Sequence, residues 1–258
     1  AARSLSVGHH VHHEEGFNAD EAGGQLRRRI WARRLGLGRI ARLVVPSRLL
    51  ECVATQDWKV SPQQVQLVLN GVCTERFQSN DADRVRIRSE LGLTSEDLLL
   101  GSVGHLRPIK RYDRLLRSLA RVRAGANGER VHLCLVGAGQ ERERLEALAL
   151  ELGLADRIHW AGHQSDLAPW YSAMDLFTLT SDSEQLPVSL LEAMACGLAV
   201  TGTDVGDVHI TLPESTRDQL VPLGHNDVEG ELARLYADLL ADKDKRTAQG
   251  QLNRERVQ

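Results

Sequence analysis

From Leu43 onward the chain repeats one pattern, a short run of leucine and β-branched residues followed by a longer amphipathic stretch. The short runs are Leu43 to Val45, Val65 to Leu69, Leu98 to Val103, Val131 to Val136, Ile158 to Trp160, Leu176 to Leu179, Ala199 to Gly202 and Leu220-Val221. Helical spacing of apolar residues fills Ala82 to Leu91, Tyr112 to Val122, Glu141 to Leu152, Leu167 to Met174, Pro187 to Cys196 and Val228 to Leu240. Strands this apolar cannot leave one face in water, so they predict an α/β class with a Rossmann-like parallel sheet covered by helices on both faces. Such a sheet binds its ligand beyond the carboxyl ends of its strands. The residues to inspect are therefore those from Gly104, those from Gly137, Thr180 to Glu184 and Thr203 to Gly206.

Composition narrows the partners. With 32 basic and 35 acidic side chains the net charge is −3, which gives no case for nucleic acid. The distribution is uneven: Gly23 to Leu50 holds eight arginines and no acid, leaving −11 on the remainder. The segment 27–42, with Ile30, Trp31 and Leu35 among its bases, has two readings. One is a solvated helix leading into the next domain, which is preferred; the other is a helix lying on an anionic membrane surface. No apolar run reaches the ~20 residues that span a bilayer, and the first 30 residues lack a signal-peptide core. Four scattered cysteines without a C-x-x-C pair fit buried thiols in a reduced, cytoplasmic setting.

Residues 1–42 stand outside the alternation and read as a last strand, near Leu5 to Val7, plus a basic helix of a domain that began earlier. The opening Ala1-Ala2, with no Met before Met174, fits a piece of a longer protein. Residues 43–242 form the next domain, and 243–258 a polar tail or the start of a C-terminal helix.

The richest segment runs from Thr180 to Gly197. A strand ends near Thr180, a polar loop delivers Glu184, Pro187 suits a first helical turn and Gly197 a helix stop. Glu184 and Glu192 then lie roughly 10–12 Å apart along the axis at ~1.5 Å per residue. That is too wide for the carboxylates of a glycoside hydrolase, about 5–9.5 Å apart. It suits the span from a ribose across a diphosphate to a sugar, with helix-start N–H groups between them. A helix-entry acid and a surface acid explain the same spacing, and the residues alone leave both open.

Together these residues resemble a family. E-x7-E followed by Ala193-Met194-Ala195-Cys196-Gly197 is similar to the signature of the retaining nucleotide-sugar glycosyltransferases of the GT-B fold, family 4 type. Further ordered matches are Asn70-Gly71-Val72, Gly137-Ala138-Gly139 followed by Arg144-Leu145, and Thr203 to Val208. The resemblance covers Leu43 to Leu240, with 43–242 as donor domain and 1–42 as the end of an acceptor domain. It implies transfer of a sugar from a nucleotide-diphosphate sugar to a glycan, lipid or small-molecule acceptor, without cofactor or metal. Glu192 is then the ribose ligand and Glu184 faces the reacting centre, while Gly137 and Gly139 form a turn near the base. Gln185 stands where many members have Gly, and its amide either contacts the donor or narrows its site. The backbone N–H groups of Leu186 and Val188 are candidate phosphate or sugar donors.

The run from Gly104 to Arg111 resembles the family's Gly-Arg-Leu-x-x-x-Lys-Gly. Lys110 matches the lysine, His105 replaces the arginine, and Arg111 replaces the last glycine. A cationic loop after a strand offsets charge on a departing diphosphate, so Lys110 and Arg107 are assigned to that work. His105 joins them when protonated. Asp81-Ala82-Asp83 and Asp242-Lys243-Asp244 have D-x-D spacing but read as helix caps. The cluster from His9 to Glu15 has the residue types of a metal site but reads as adventitious or structural histidines, because alternate residues of an extended segment face opposite ways. His12, His13 or Glu14 is a weaker candidate for acceptor or donor contact. Two rivals remain: a sugar-nucleotide epimerase of similar fold, and a nucleotide-sugar-binding module inactive without a partner acceptor domain.

Overall fold

The apolar runs become strands in two separate parallel sheets. In the computed structural model, which describes residues 10–15, 25–37, 40–123 and 128–258, strands β1 (Val11–His13), β2 (Arg42–Val45) and β3 (Val65–Leu67) pair in the order β1-β2-β3. Strands β4 (Leu98–Val103), β5 (Val131–Val136), β6 (Ile158–Gly162), β7 (Leu176–Leu179), β8 (Val200–Asp204) and β9 (Leu220–Pro222) form the larger sheet, ordered β6-β5-β4-β7-β8-β9.

Helices α1 (Arg27–Leu37) and α2 (Arg48–Gln56) belong to the smaller unit. The others are α3 (Asp81–Glu90), α4 (Tyr112–Arg123), α5 (Arg142–Glu151), α6 (Ala168–Ala173), α7 (Val188–Ala195), α8 (Val208–Thr211), α9 (Val228–Ala241) and α10 (Lys243–Val257).

The larger sheet is apolar on both faces because it is buried on both. Leu133 and Leu135 of β5 join Leu116, Leu145, Leu235 and Tyr236 on one side. Cys134 and Val136 of the same strand join Phe177, Leu190 and Met194 on the other. Successive strand side chains point to opposite faces, so both parities must be apolar. Each fully buried leucine contributes about 1.5–3 kcal/mol.

Several expectations are corrected here. The division at 42/43 assigned β2 and β3 to the larger sheet, but β2 pairs with β1 (His12 opposite Leu43) and β3 pairs with β2 (Val44 opposite Gln66). Both units alternate strand and helix, so periodicity cannot mark where one sheet ends. The strand predicted near Leu5 to Val7 falls outside the described residues, as does His9. Helix α2, absent from the predicted elements, starts where Ser47 accepts the Leu50 N–H. Of the two readings of 243–258 the helical one holds: Asp242 caps α10, and Asn253 Nδ2 donates to Leu198 O at 2.8 Å. Asp81 and Asp83 lie in the first turn of α3, whose cap is Asn80. Of the cysteines, Cys134 and Cys196 are buried, but Cys52 and Cys73 are exposed. No helix among the described residues is long and apolar enough to cross a membrane.

Candidate functional site

The strand order locates the site. From β4 the chain moves outward to β5 and β6, then returns to β7 on the other side of β4. The loops leaving β4 and β7 therefore diverge, and the crevice between them is a binding position at the carboxyl edge of the sheet. Those loops carry Lys110 and Glu184.

Hydrogen bonds set these two side chains. Thr180 Oγ1 donates to the carbonyls of Lys110 and Arg111, both at 3.1 Å, and Asp182 N donates to Ile109 O at 2.9 Å. Asp182 then pairs with Arg111 Nη1 at 3.0 Å and Arg114 Nη2 at 2.6 Å. Arg111 has φ 50, the left-handed region that favours glycine. The Asp113 carboxylate, 3.0 Å away, is the main group raising the guanidinium's pKa, so the residue contributes an ion-pair network in exchange for backbone strain. With the loops joined, Lys110 Nζ donates to Glu184 Oε1 at 2.6 Å, and Ser181 Oγ donates to the same oxygen at 2.5 Å.

Two cavities flank this pair. One of about 260 Å³ is lined by Glu15, His105, Arg107, Lys110, Glu184 and Gln185. Its neighbour, about 250 Å³, includes His13, Asn70, Leu186, Pro187 and Val188, and shares Glu15, Glu184 and Gln185. Arg107 and His105 are exposed beside the cavity, and neither side chain has an ion-pair or hydrogen-bond partner among the described residues. The site thus holds one neutralised cation and one available cation beside the carboxylate. A larger cavity, about 580 Å³, lies around Arg48, Asp207, Ile210 and Arg217 and contains neither Lys110 nor Glu184. The chemistry therefore favours the smaller pair.

The predicted residues do not all meet there. Lys110, Glu184, Gln185, His105, Arg107, Leu186 and Val188 converge, with Gly104 at the root of the β4 loop. Glu192 lines neither cavity; its carboxylate accepts from Tyr171 Oη at 2.8 Å, and burial raises its pKa. Gly137 and Gly139 line neither of these two cavities, and each lies close against backbone. A Cβ on Gly137 would stand 2.0 Å from Gly104 O, and one on Gly139 would stand 2.4 Å from Leu106 O. Burial pushes the thiols of Cys134 and Cys196 up to about 12, which leaves them poor nucleophiles.

Sequence reasoning missed Glu15, Ser47 and Asp207. Alternation along β1 was the available signal for Glu15: His13 and Glu15 share the cavity side. Glu14, on the other side, lies 3.7 Å from His12 and 3.6 Å from Arg33. Asp207 lies in the Thr203 to Val208 run, but neither its partners nor that of Ser47 had a local signal, since those contacts cross between the sheets.

Residues 83–256 match the family model described as "Glycosyl transferases group 1". The chain is 33% identical over 194 residues to a D-inositol 3-phosphate glycosyltransferase of Streptomyces bingchenggensis, covering 71% of this chain and 42% of that protein. It is 28% identical over 226 residues to the lipopolysaccharide core biosynthesis glycosyltransferase LpsE of Rhizobium meliloti, covering 76% of this chain and 62% of that one. The chain thus spans under two thirds of these relatives' length. Its fold is similar to that of Anabaena Alr3699/HepE, crystallised with UDP and glucose. The TM-score is 0.83 at 20% identity, over 100% of this chain and 71% of that one.

Proposed function

We propose that this chain, which belongs to the glycosyl transferases group 1 family, binds a nucleotide-diphosphate sugar between its two sheets and transfers the sugar with retention of anomeric configuration. The observation that carries the reading is the Lys110–Glu184 pair at the switch point of the larger sheet, opposite Glu15 of the smaller unit. In this reading the larger sheet is the donor-binding unit and the smaller sheet belongs to the acceptor side.

Each residue then has a task. Lys110 and Arg107 offset charge on the departing diphosphate, with His105 adding to them when protonated. The first N–H groups of α7, near Leu186 and Val188, face the same anion, whose charge a helix start stabilises. Glu192 takes the ribose hydroxyls. Glu184, its charge shared with Lys110 until the donor arrives, orients the sugar. The acceptor hydroxyl oxygen bonds to the anomeric carbon as the bond to the phosphate oxygen breaks on the same face, and the hydroxyl proton passes to that oxygen. The positive charge comes from side chains and a helix start, so no metal or cofactor is assigned. Gly137 and Gly139 support the β4 loop and form the turn near the base.

Binding without transfer remains the second reading, because the matched segment is 42% of the Streptomyces relative. An epimerase gains no support from the family match. The reading includes a cytoplasmic setting with α1 as a solvated helix leading into the next domain, and contact of segment 27–42 with an anionic membrane is the alternative. Trp31 and Leu35, one turn apart on α1, are 62% and 67% exposed among arginines. Flotation with anionic liposomes that is unchanged by Trp31→Ala with Leu35→Ala removes the membrane contact.

A thermal-shift screen against UDP-, GDP- and ADP-sugars tests the function, since a ligand of the folded state raises its apparent stability. UDP-glucose comes first, given the UDP and glucose of the Anabaena structure. Stabilisation by none of the three classes overturns the reading.

A further inference from the structure

Gln185 follows Glu184 directly, is 8% exposed, and borders both cavities. Its Oε1 lies 2.7 Å from Ser47 Oγ of the smaller unit. Ser47 already accepts the Leu50 N–H at 3.0 Å as the cap of α2, so its hydroxyl proton is free for an acceptor. The hydroxyl donates that proton to Gln185 Oε1, so the carbonyl end of the amide faces Ser47. The Nε2 end is left buried with no hydrogen-bond partner. A buried N–H without an acceptor is costly, and the cavities on either side show where an acceptor would come from.

A second contact holds this arrangement in place. Asp207, 3% exposed, accepts from the backbone N–H groups of Arg48 at 2.6 Å and Leu49 at 3.0 Å. Its own N–H donates to Gln185 O at 2.8 Å. Gly206, at φ 59, lets the loop after β8 lie against the motif, where a Cβ would stand 2.3 Å from Glu184 O. One loop therefore grips both the Glu184-Gln185 backbone and the first turn of α2.

We propose that Gln185 reads an oxygen of the transferred sugar through its Nε2–H, and that Ser47 and Asp207 are positioning residues that aim the amide. This rests on the nucleotide-sugar reading above. Arg107 and Lys110, which serve the diphosphate end, line only the first cavity, whereas Gln185 borders both. Recognition of the sugar then requires both sheets to be docked, whereas recognition of the nucleoside diphosphate requires only the larger one.

The test is calorimetry on the full chain with three ligand pairs: UDP and UDP-glucose, GDP and GDP-mannose, ADP and ADP-glucose. The readout is the ratio of affinities within the pair that binds. Gln185→Met keeps the volume and removes both hydrogen bonds, and it lowers the sugar-nucleotide affinity about tenfold relative to the diphosphate, the value of one such bond. Ser47→Ala and Asp207→Ala lower the same ratio, and Asp207→Asn, which still caps a helix, restores part of it. A purely structural role would change both ligands of a pair equally, so an unchanged ratio in Gln185→Met, or in Gln185→Ala should the first variant not fold, overturns the inference. Failure of all three pairs to bind the wild-type chain overturns the nucleotide-sugar reading itself, and the inference with it.

Discussion

Replacing Gly137 with alanine separates two explanations of a glycine turn beside a binding cleft. If the glycine lets a ligand approach, the variant folds normally and binds poorly. The structure instead puts the Gly104 carbonyl oxygen 2.0 Å from the new Cβ, and Gly137 has φ 141. Real Cβ atoms keep at least 3.0 Å, so the two loops must part by about 1 Å. Their joints are Gly104 N to Val136 O at 2.9 Å and Leu106 N to Ala138 O at 3.0 Å. Losing both costs about 1–3 kcal/mol, and holding alanine in an unfavourable backbone region costs a further ~1–3 kcal/mol. Reduced freedom of the unfolded chain returns about 0.4–1 kcal/mol. The expected loss is about 1–5.5 kcal/mol, or a fall of roughly 2–20 °C in Tm for a chain of this size. Urea unfolding at several temperatures measures it. The loop carrying Lys110 must move with the clash, so nucleotide-sugar affinity falls as well. A variant within ~0.5 kcal/mol of wild type, the range of neutral surface changes, that has lost only ligand binding would refute the backbone account.

Three further outcomes follow from the same geometry. Arg111→Ala loses the contacts to Asp113 and Asp182 but keeps the strained φ of 50, whereas Arg111→Gly loses the contacts and relieves the strain. The glycine variant should be the more stable of the two by about 1 kcal/mol in chemical denaturation, and the reverse order would show that the strain is not real. Lys110→Ala removes the cation 2.6 Å from Glu184 and should lower turnover about 10²-fold in a UDP-release assay, by analogy with removal of one transition-state donor. Unchanged turnover contradicts its assignment to the leaving group. Glu192 has its pKa raised by burial, so its proton is bound more tightly in the folded state than in the unfolded one. The folded state is therefore favoured at low pH, and that contribution is lost as pH rises from the unfolded carboxylate value through the raised one. Glu192→Gln should accordingly gain stability near pH 7, little near pH 4, and lose nucleotide affinity. A stability difference that does not change with pH would show that the carboxylate is not penalised by burial.

Much of the fold is legible along the chain because both periodicities are local. The bounds of β4, β5 and β7 follow from runs such as Leu98 to Val103, whose residues of both parities must be apolar when both faces are covered. Position marks the loops after such strands, and resemblance to the family's motifs picks Lys110 and Glu184 out within them. Glu15 is readable only to the extent that alternation along Val11 to His13 is carried two residues further. The residues that tie the sheets together are not readable. Ser47 meets Gln185 across 138 positions, and Arg48 meets Asp207 across 159. Nothing near either partner signals the other, because a hydrogen bond is decided by where two loops come to rest. For the same reason Gly137 has the look of a ligand contact, although the group against it is the Gly104 carbonyl. The parallel sheet and the loops that bear the charged pair are written into the chain, through patterns repeated every two or every 3.6 residues. Which strands share a sheet, which glycines press on backbone and which polar groups meet across the cleft are settled in three dimensions, because those contacts depend on packing between distant segments.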